Sequence, residues 1–151
     1  MSSGTALVVS VTFVAGLAGA VQAAVMGELG GRVGTASAVA FSVFISLLCA
    51  VAVVLVWERS FAGVRAAAHE PVWLWVGGAA SVLIVVAATL AVPRIGVAAT
   101  IGLFIAGNLI MAALVDRYGW LAQDAIPIDR WRLLGLLLLA AGAALSLSRA
   151  G

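Results

Sequence analysis

The sequence predicts an all-α polytopic membrane protein with five transmembrane helices in one domain. Of its 151 residues, 65% are hydrophobic and 9% are charged, whereas soluble domains contain about 25% charged residues. Five apolar runs are separated by short polar segments, and each run is long enough as a helix to cross a hydrocarbon core of roughly 30 Å. The runs cover residues 5–26, 35–57, 72–92, 95–115 and 131–148.

The positions of the aromatic residues support the count of five. With five crossings, the N-terminus, the link after the second run and the link after the fourth run lie on one side. The tryptophans and the one tyrosine all fall at that side, where amphipathic rings collect at the membrane interface. They are Trp57, Trp73, Trp75, Tyr118, Trp120 and Trp131.

The arginines predict the orientation. Five of them lie on the side of the N-terminus and three on the other, which favours a cytoplasmic N-terminus. The first group is Arg59, Arg65, Arg117, Arg130 and Arg132, and the second is Arg32, Arg94 and Arg149.

Small residues predict where helices approach one another closely. Gly19 belongs to a four-residue repeat of Ala and Gly in the first run, and Gly77 and Gly78 offer a second smooth surface in the third run. Gln22 is the most polar side chain of the first run. It either bonds to a neighbouring helix or lines a cavity.

The glycine and proline residues between runs predict the connections. Residues 27–34 contain several glycines and two charges and are predicted as a loop, in which Glu28 and Arg32 would pair only if the segment were helical. Pro71 opens the third helix. The link at Pro93 and Arg94 is so short that the third and fourth helices should form an antiparallel hairpin.

The fourth run carries the candidate substrate site. Gly107 is a further glycine predicted to pack against a neighbouring helix. The next residue, Asn108, is an amide inside an apolar run and must find a protein partner or line a wet cavity. Thr100, Phe104 and Asn108 form an i,i+4 row, which we expect to face Gln22 and the glycine surface of the third helix. Asn108 either binds the substrate or only joins two helices.

Asp116 ends the fourth run and is the best candidate for proton or cation coupling. The alternative is a helix-end charge that pairs with Arg117 or Arg130. No catalytic triad, Cys/His metal spacing or phosphate-binding loop stands in a suitable context. We therefore expect no enzyme activity, metal or cofactor, and the scattered arginines predict no nucleic-acid partner.

Several segments in order resemble one family. They are VQAAVMGELGGRVG, WVGGAAS, VPRIGVA, IAGNLI, VDRYGW and RLLGLLLLAAGA. Together they resemble the YdcZ-like family of small bacterial inner-membrane proteins in the drug/metabolite transporter (DMT) superfamily. The chain departs from the family pattern at Asn108, where members tend to have Gln, and at Met26 and Ala24, where they often have Asn and Pro. The resemblance implies a bacterial plasma membrane protein that is similar to half of a ten-helix transporter.

What the resemblance implies for function is secondary transport of a small metabolite or drug-like solute by a dimer of inverted halves. Because five crossings are an odd number, the partner must be an antiparallel second copy or an oppositely oriented five-helix chain. Gly135 and Gly142 share a face of the fifth helix and are the first candidate contact. The alternatives are a small dual-topology ion channel with buried Asn108 and Phe104, and a membrane scaffold that transports nothing.

Overall fold

The computed structural model describes residues 3–118, 134–135, 138, 141–142 and 145. The helices are α1 (Ser3–Val33), α2 (Thr35–Trp57), α3 (Ala62–Ala67) and α4 (Val76–Tyr118), with a 3₁₀ turn at Val72–Trp75 before α4. The described residues after 118 are helical, and the described part of the chain contains no strand. The all-helical fold class is therefore confirmed there. Most of the predicted fifth helix (131–148) lies outside the described residues, and so do Trp120 and Trp131.

Three described stretches are long and apolar enough to cross a membrane: Gly4–Val33, Thr35–Trp57 and Val72–Val115. Their most apolar windows are only 0%, 6% and 17% buried inside the chain. Large side chains such as Phe13 and Leu47 stay more than half exposed. Apolar surface on this scale is stable only when lipid or a partner covers it.

Two compact units make up the chain. We call residues 22–93 the central unit and residues 1–21 with 94–151 the terminal unit. The core of the central unit consists of Met26, Ala38 and Val39, with partly buried Leu29, Val85 and Val86 packed against them.

A single residue, Gly34, joins α1 to α2. Its φ of 85° and ψ of 150° lie in a region of backbone space that is essentially restricted to glycine. Its N–H donates to the carbonyl of Gly30 and its carbonyl accepts from the N–H of Ala38, both at 3.0 Å. Met26 lies about 12 Å before Gly34 along its helix and Ala38 about 6 Å after it. Their shared core therefore requires the chain to reverse at Gly34.

The predicted loop at 27–34 is wrong, because α1 stays helical to Val33. On its exposed face, Arg32 forms an ion pair with Glu28 one turn earlier, with 2.8 Å between nitrogen and oxygen. Such a pair adds a few tenths of a kcal/mol to a helix, roughly. On the opposite side the glycines contact another helix, so they provide a packing surface instead of a turn.

The packing surface is formed by Gly27 and Gly30, which lie against α4. A Cβ atom at Gly27 would lie 2.5 Å from Cγ1 and 2.8 Å from Cβ of Val92, and one at Gly30 would overlap Cγ2 of Thr89. Since Gly27 is opposite Val92 and Gly30 is opposite Thr89, the two helices are antiparallel here. Thr89 is 2% exposed and its hydroxyl donates to the carbonyl of Val85 at 2.7 Å.

The helix α4 is interrupted at Gly96, where φ is 80° and ψ is 164°. This is nearly the backbone conformation of Gly34. The sequence places the boundary at Pro93 and Arg94, but both are helical and the break lies beyond them. The fixed φ of proline is compatible with a helix, whereas the conformation at the break needs a residue without a Cβ.

We predict that Gly27→Ala destabilises the protein while Gly31→Ala does not. The new Cβ at Gly27 would press on the branched carbon of Val92, and overpacking of this kind costs about 1–3 kcal/mol. Gly31, one helical turn further, has no atom of the described chain within 4 Å of the place where an alanine Cβ would stand, so alanine there should be neutral or slightly stabilising. Thermal unfolding in detergent measures both. Equal midpoints for the two variants would contradict the close packing.

We also predict that Gly34→Ala and Gly96→Ala each lower the free energy of unfolding by about 1–3 kcal/mol, because the alanine Cβ is strained at these backbone angles. Gly16→Ala is the matched control, since Gly16 is helical and open to its surroundings. Unfolding in detergent measures the free energy of unfolding of all three variants. A loss of stability in Gly16→Ala alone would contradict the backbone strain that we assign to alanine at positions 34 and 96.

Candidate functional site

The predicted substrate site divides between the two units. Gln22 is exposed on α1 in the central unit, whereas Thr100, Phe104 and Asn108 lie on the second part of α4 in the terminal unit. The predicted meeting of Gln22 with this row stays a prediction.

Thr100 has a clear structural role. It is 1% exposed, and its hydroxyl donates to the carbonyl of Gly96 at 2.8 Å. That carbonyl belongs to the residue that interrupts α4, so the hydroxyl bonds to the backbone at the start of the next helical stretch. In this conformation the polar atom of Thr100 faces the backbone, and its predicted role in substrate binding stays a prediction.

Exposure increases along the predicted row from Thr100 to Asn108. Phe104 is half-buried and Asn108 is exposed. No hydrogen bond joins the Asn108 side chain to another described residue. An amide in an apolar helix needs a partner to satisfy its donor and acceptor. Asn108 is therefore the described polar group of this row that is best placed to bind something outside its own chain.

Asp116 lies in the last turns of α4, and the adjacent Arg117 is exposed. The side chain of Asp116 is outside the described part of the structure, so its coupling role stays a prediction. In the described residues, no group of three or more His, Cys, Asp and Glu side chains is close enough to hold a metal ion.

Several serine and threonine hydroxyls of the helices donate to a backbone carbonyl of their own helix. Ser46 donates to the carbonyl of Ser42 at 2.9 Å and Ser81 donates to that of Gly78 at 2.7 Å. Thr12 donates to the carbonyl of Val8 at 2.9 Å. A hydroxyl bonded in this way is a weak group for guiding a polar solute, so these positions mark no polar path.

The glycines predicted to pack helices have free space beside them. In the described part of the chain, no heavy atom lies within 4 Å of a Cβ built at any of them. They are Gly19, Gly77, Gly78, Gly107, Gly135 and Gly142. Their role in helix packing stays a prediction, and any such contact would be with something other than the described part of the chain.

An apolar groove in the central unit is a feature that the sequence reasoning missed. It has a volume of about 770 Å³ and lies between α2 and the first part of α4. Its lining residues are Thr35, Ala36, Val39, Ala40, Val43, Phe44, Leu47, Val82 and Val86. The signal for it in the sequence is the pair of i,i+4 rows on α2, which are almost wholly apolar.

The comparison with known protein families gives a match over most of the chain. Residues 7–145 match the family DMT_YdcZ, described as "Putative inner membrane exporter, YdcZ". No curated protein and no solved structure matches the chain. The match covers nearly the whole sequence and agrees with the three described stretches that are long and apolar enough to cross a membrane. The chain therefore belongs to the YdcZ family of inner membrane exporters, which is a transport family and not an enzyme family, and it is an inner membrane protein.

Proposed function

We propose that this protein is one half of a secondary exporter that moves a small, partly apolar solute across the inner membrane. The observation that carries the proposal is the family match over residues 7–145. The structure adds two supporting features. In the central unit, the groove between α2 and the first part of α4 is apolar enough for a lipophilic solute. In the terminal unit, Asn108 presents an exposed amide that could bind a polar group.

The proposed topology has five crossings. The stretch Val72–Val115 has 44 residues, and as one straight helix it would measure about 66 Å, roughly twice the hydrocarbon thickness. The break at Gly96 divides it into two pieces that are each long enough for one crossing. The chain reverses at Gly34 with nearly the same φ and ψ, which supports a second reversal at Gly96.

We predict that cysteines at positions 64 and 123 react with an impermeant thiol reagent from one side of the membrane and a cysteine at position 31 from the other. Val64 lies in the link between α2 and α4, and Gly31 lies near the reversal at Gly34. Gln123 lies outside the described residues. The background is Cys49→Ala, because Cys49 is exposed. Labelling of positions 31 and 64 from the same side would contradict the topology.

The proposed assembly is a pair of oppositely oriented halves. Inverted-repeat transporters form their site between two halves related by an axis in the membrane plane. A chain with five crossings can supply this symmetry only with a second copy, or another chain, inserted the opposite way. The poorly covered apolar helices of the described residues are consistent with such a partner.

The proposed site uses Asn108 and Asp116 in different roles. Asn108 binds the solute, and Asp116 at the end of α4 exchanges a proton or cation during transport. Gln22, Phe104 and Thr100 complete the proposed binding region. A carboxylate near the end of a membrane helix can change its charge on contact with water, which is the property that coupling needs.

We predict that Asn108→Ala and Asp116→Asn insert normally but abolish transport in proteoliposomes that carry a proton gradient. Ser46→Ala is the control, because its hydroxyl bonds only to its own helix among the described residues, and it should transport normally. The assay screens lipophilic cations and small metabolites for accumulation that collapses with the gradient.

Other results of this assay would point to different functions. Flux that follows only the gradient of an ion itself would identify a channel. Absence of transport for the whole panel, together with a deletion strain of unchanged solute tolerance, would favour a scaffold. Transport that survives in both variants would place the site elsewhere.

A further inference from the structure

The side chain of Asn108 needs a partner that the described chain does not supply. It is exposed, and its neighbours on the same face of α4 are Ile105 and Met111, which are 41% and 55% exposed. The described residues offer it no hydrogen bond. In the hydrocarbon region neither water nor lipid tails can bond an amide, so leaving it alone is costly.

The depth of Asn108 narrows the choice of partner. The apolar stretch that follows Gly96 runs from 97 to 115 and is about 28 Å long as a helix. Its middle is at Ala106, so Asn108 lies about 3 Å from the middle along the helix axis. Lipid headgroups lie about 15 Å from that depth and cannot reach the amide. The partner is therefore a polar group at mid-membrane.

An asparagine amide is complementary to itself. It carries two N–H donors and a carbonyl acceptor, so two such groups can form a reciprocal pair of hydrogen bonds. In a two-fold dimer a residue near the axis meets its own copy. When the axis lies in the membrane plane, residues close to mid-membrane are the ones that meet this condition. Two Asn108 residues would differ in depth by only about 6 Å, which is within reach of their side chains.

We propose that the Asn108 side chains of two copies hydrogen-bond to each other across the axis of an antiparallel homodimer. This inference rests on the proposed assembly of inverted halves. Gly107 is adjacent, and no described atom lies within 4 Å of a Cβ built there, which leaves room for close approach of the partner helix. The reciprocal pair uses one N–H and the carbonyl of each amide and leaves one N–H of each for the solute, so the polar part of the solute site needs both copies.

Cysteine crosslinking tests the pairing directly. In the Cys49→Ala background, a short bifunctional thiol reagent should link Asn108→Cys into a dimer in native membranes. The depth difference of about 6 Å, added to the lateral distance between two packed helices, is too long for a direct disulfide. Met111→Cys is the matched control, because it lies on the same exposed face but five residues past the middle of the helix. In an antiparallel dimer two copies of position 111 differ in depth by about 15 Å, which together with the lateral distance between the helices is too far for the same short reagent. Co-expression of Met111→Cys with Ile101→Cys should restore the crosslink, because position 101 lies five residues before the middle.

The possible results separate this inference from the proposed function. Self-crosslinking of Met111→Cys as efficient as that of Asn108→Cys shows a parallel dimer and overturns both the pairing and the inverted assembly. A crosslink between 101 and 111 without one at 108 keeps the antiparallel dimer and overturns only the Asn108 pairing. Crosslinking at 108 and between 101 and 111, but not at 111 alone, is the expected result.

The strength of self-association provides a second test with the cysteine-free protein. Interhelical hydrogen bonds in membranes contribute on average about threefold in affinity, and the reciprocal pair has two. Asn108→Leu should therefore weaken dimerisation by roughly tenfold, as measured by energy transfer between labelled chains on dilution in lipid vesicles. Asn108→Gln keeps the amide and should retain most of the affinity. Unchanged association of the leucine variant would overturn the pairing.

Discussion

The constraint on which the rest of the structure depends is that a chain in hydrocarbon must satisfy its own polar groups. The backbone does so in helices, and the hydroxyls of Ser46, Ser81, Thr89 and Thr100 do so by donating to carbonyls three or four residues earlier in sequence. No described buried side-chain nitrogen or oxygen lacks a partner. The same constraint limits where the chain can turn, since a long connection inside the membrane would expose unpaired backbone groups.

Glycine meets this constraint in two physically different ways. At Gly34 and Gly96 it adopts positive φ, and at Gly34 the backbone groups on both sides stay bonded through the connection. At Gly27 and Gly30 it is helical, and the missing Cβ lets α4 come close enough for Val92 and Thr89 to fill the space. The first role depends on backbone torsion and the second on van der Waals contact. Substitution by alanine is therefore expected to destabilise the protein through backbone strain at Gly34 and Gly96, and through steric overlap with α4 at Gly27 and Gly30.

This difference explains which features the sequence could predict. The membrane class follows from composition, and the bounds of α2 follow from the length of its apolar run, because both depend on sums over many residues. The helical conformation of residues 27–33 could not be predicted from the sequence, because Gly-Glu-Leu-Gly-Gly-Arg is compatible with both a turn and the packed end of a helix. Only the contact with α4, which is distant in sequence, decides between them. The sequence places the end of the third helix at Pro93 and Arg94, two residues before the observed break at Gly96. Proline is commonly interpreted as a helix breaker, although its φ is compatible with a helix.

The candidate site shows the same division between local and distant information. For Thr100, the local hydrogen bond to Gly96 accounts for both its burial and its polarity, so nothing about it requires a ligand. For Asn108 no local contact satisfies the donors and acceptor of the amide, because its side chain is exposed and has no hydrogen-bond partner among the described residues. A polar group that the chain leaves unsatisfied near mid-membrane is costly unless something else binds it. Among the described residues that sequence reasoning selected in α4, Asn108 is thus the one whose chemistry depends on another molecule, whether a solute or a second copy of the chain.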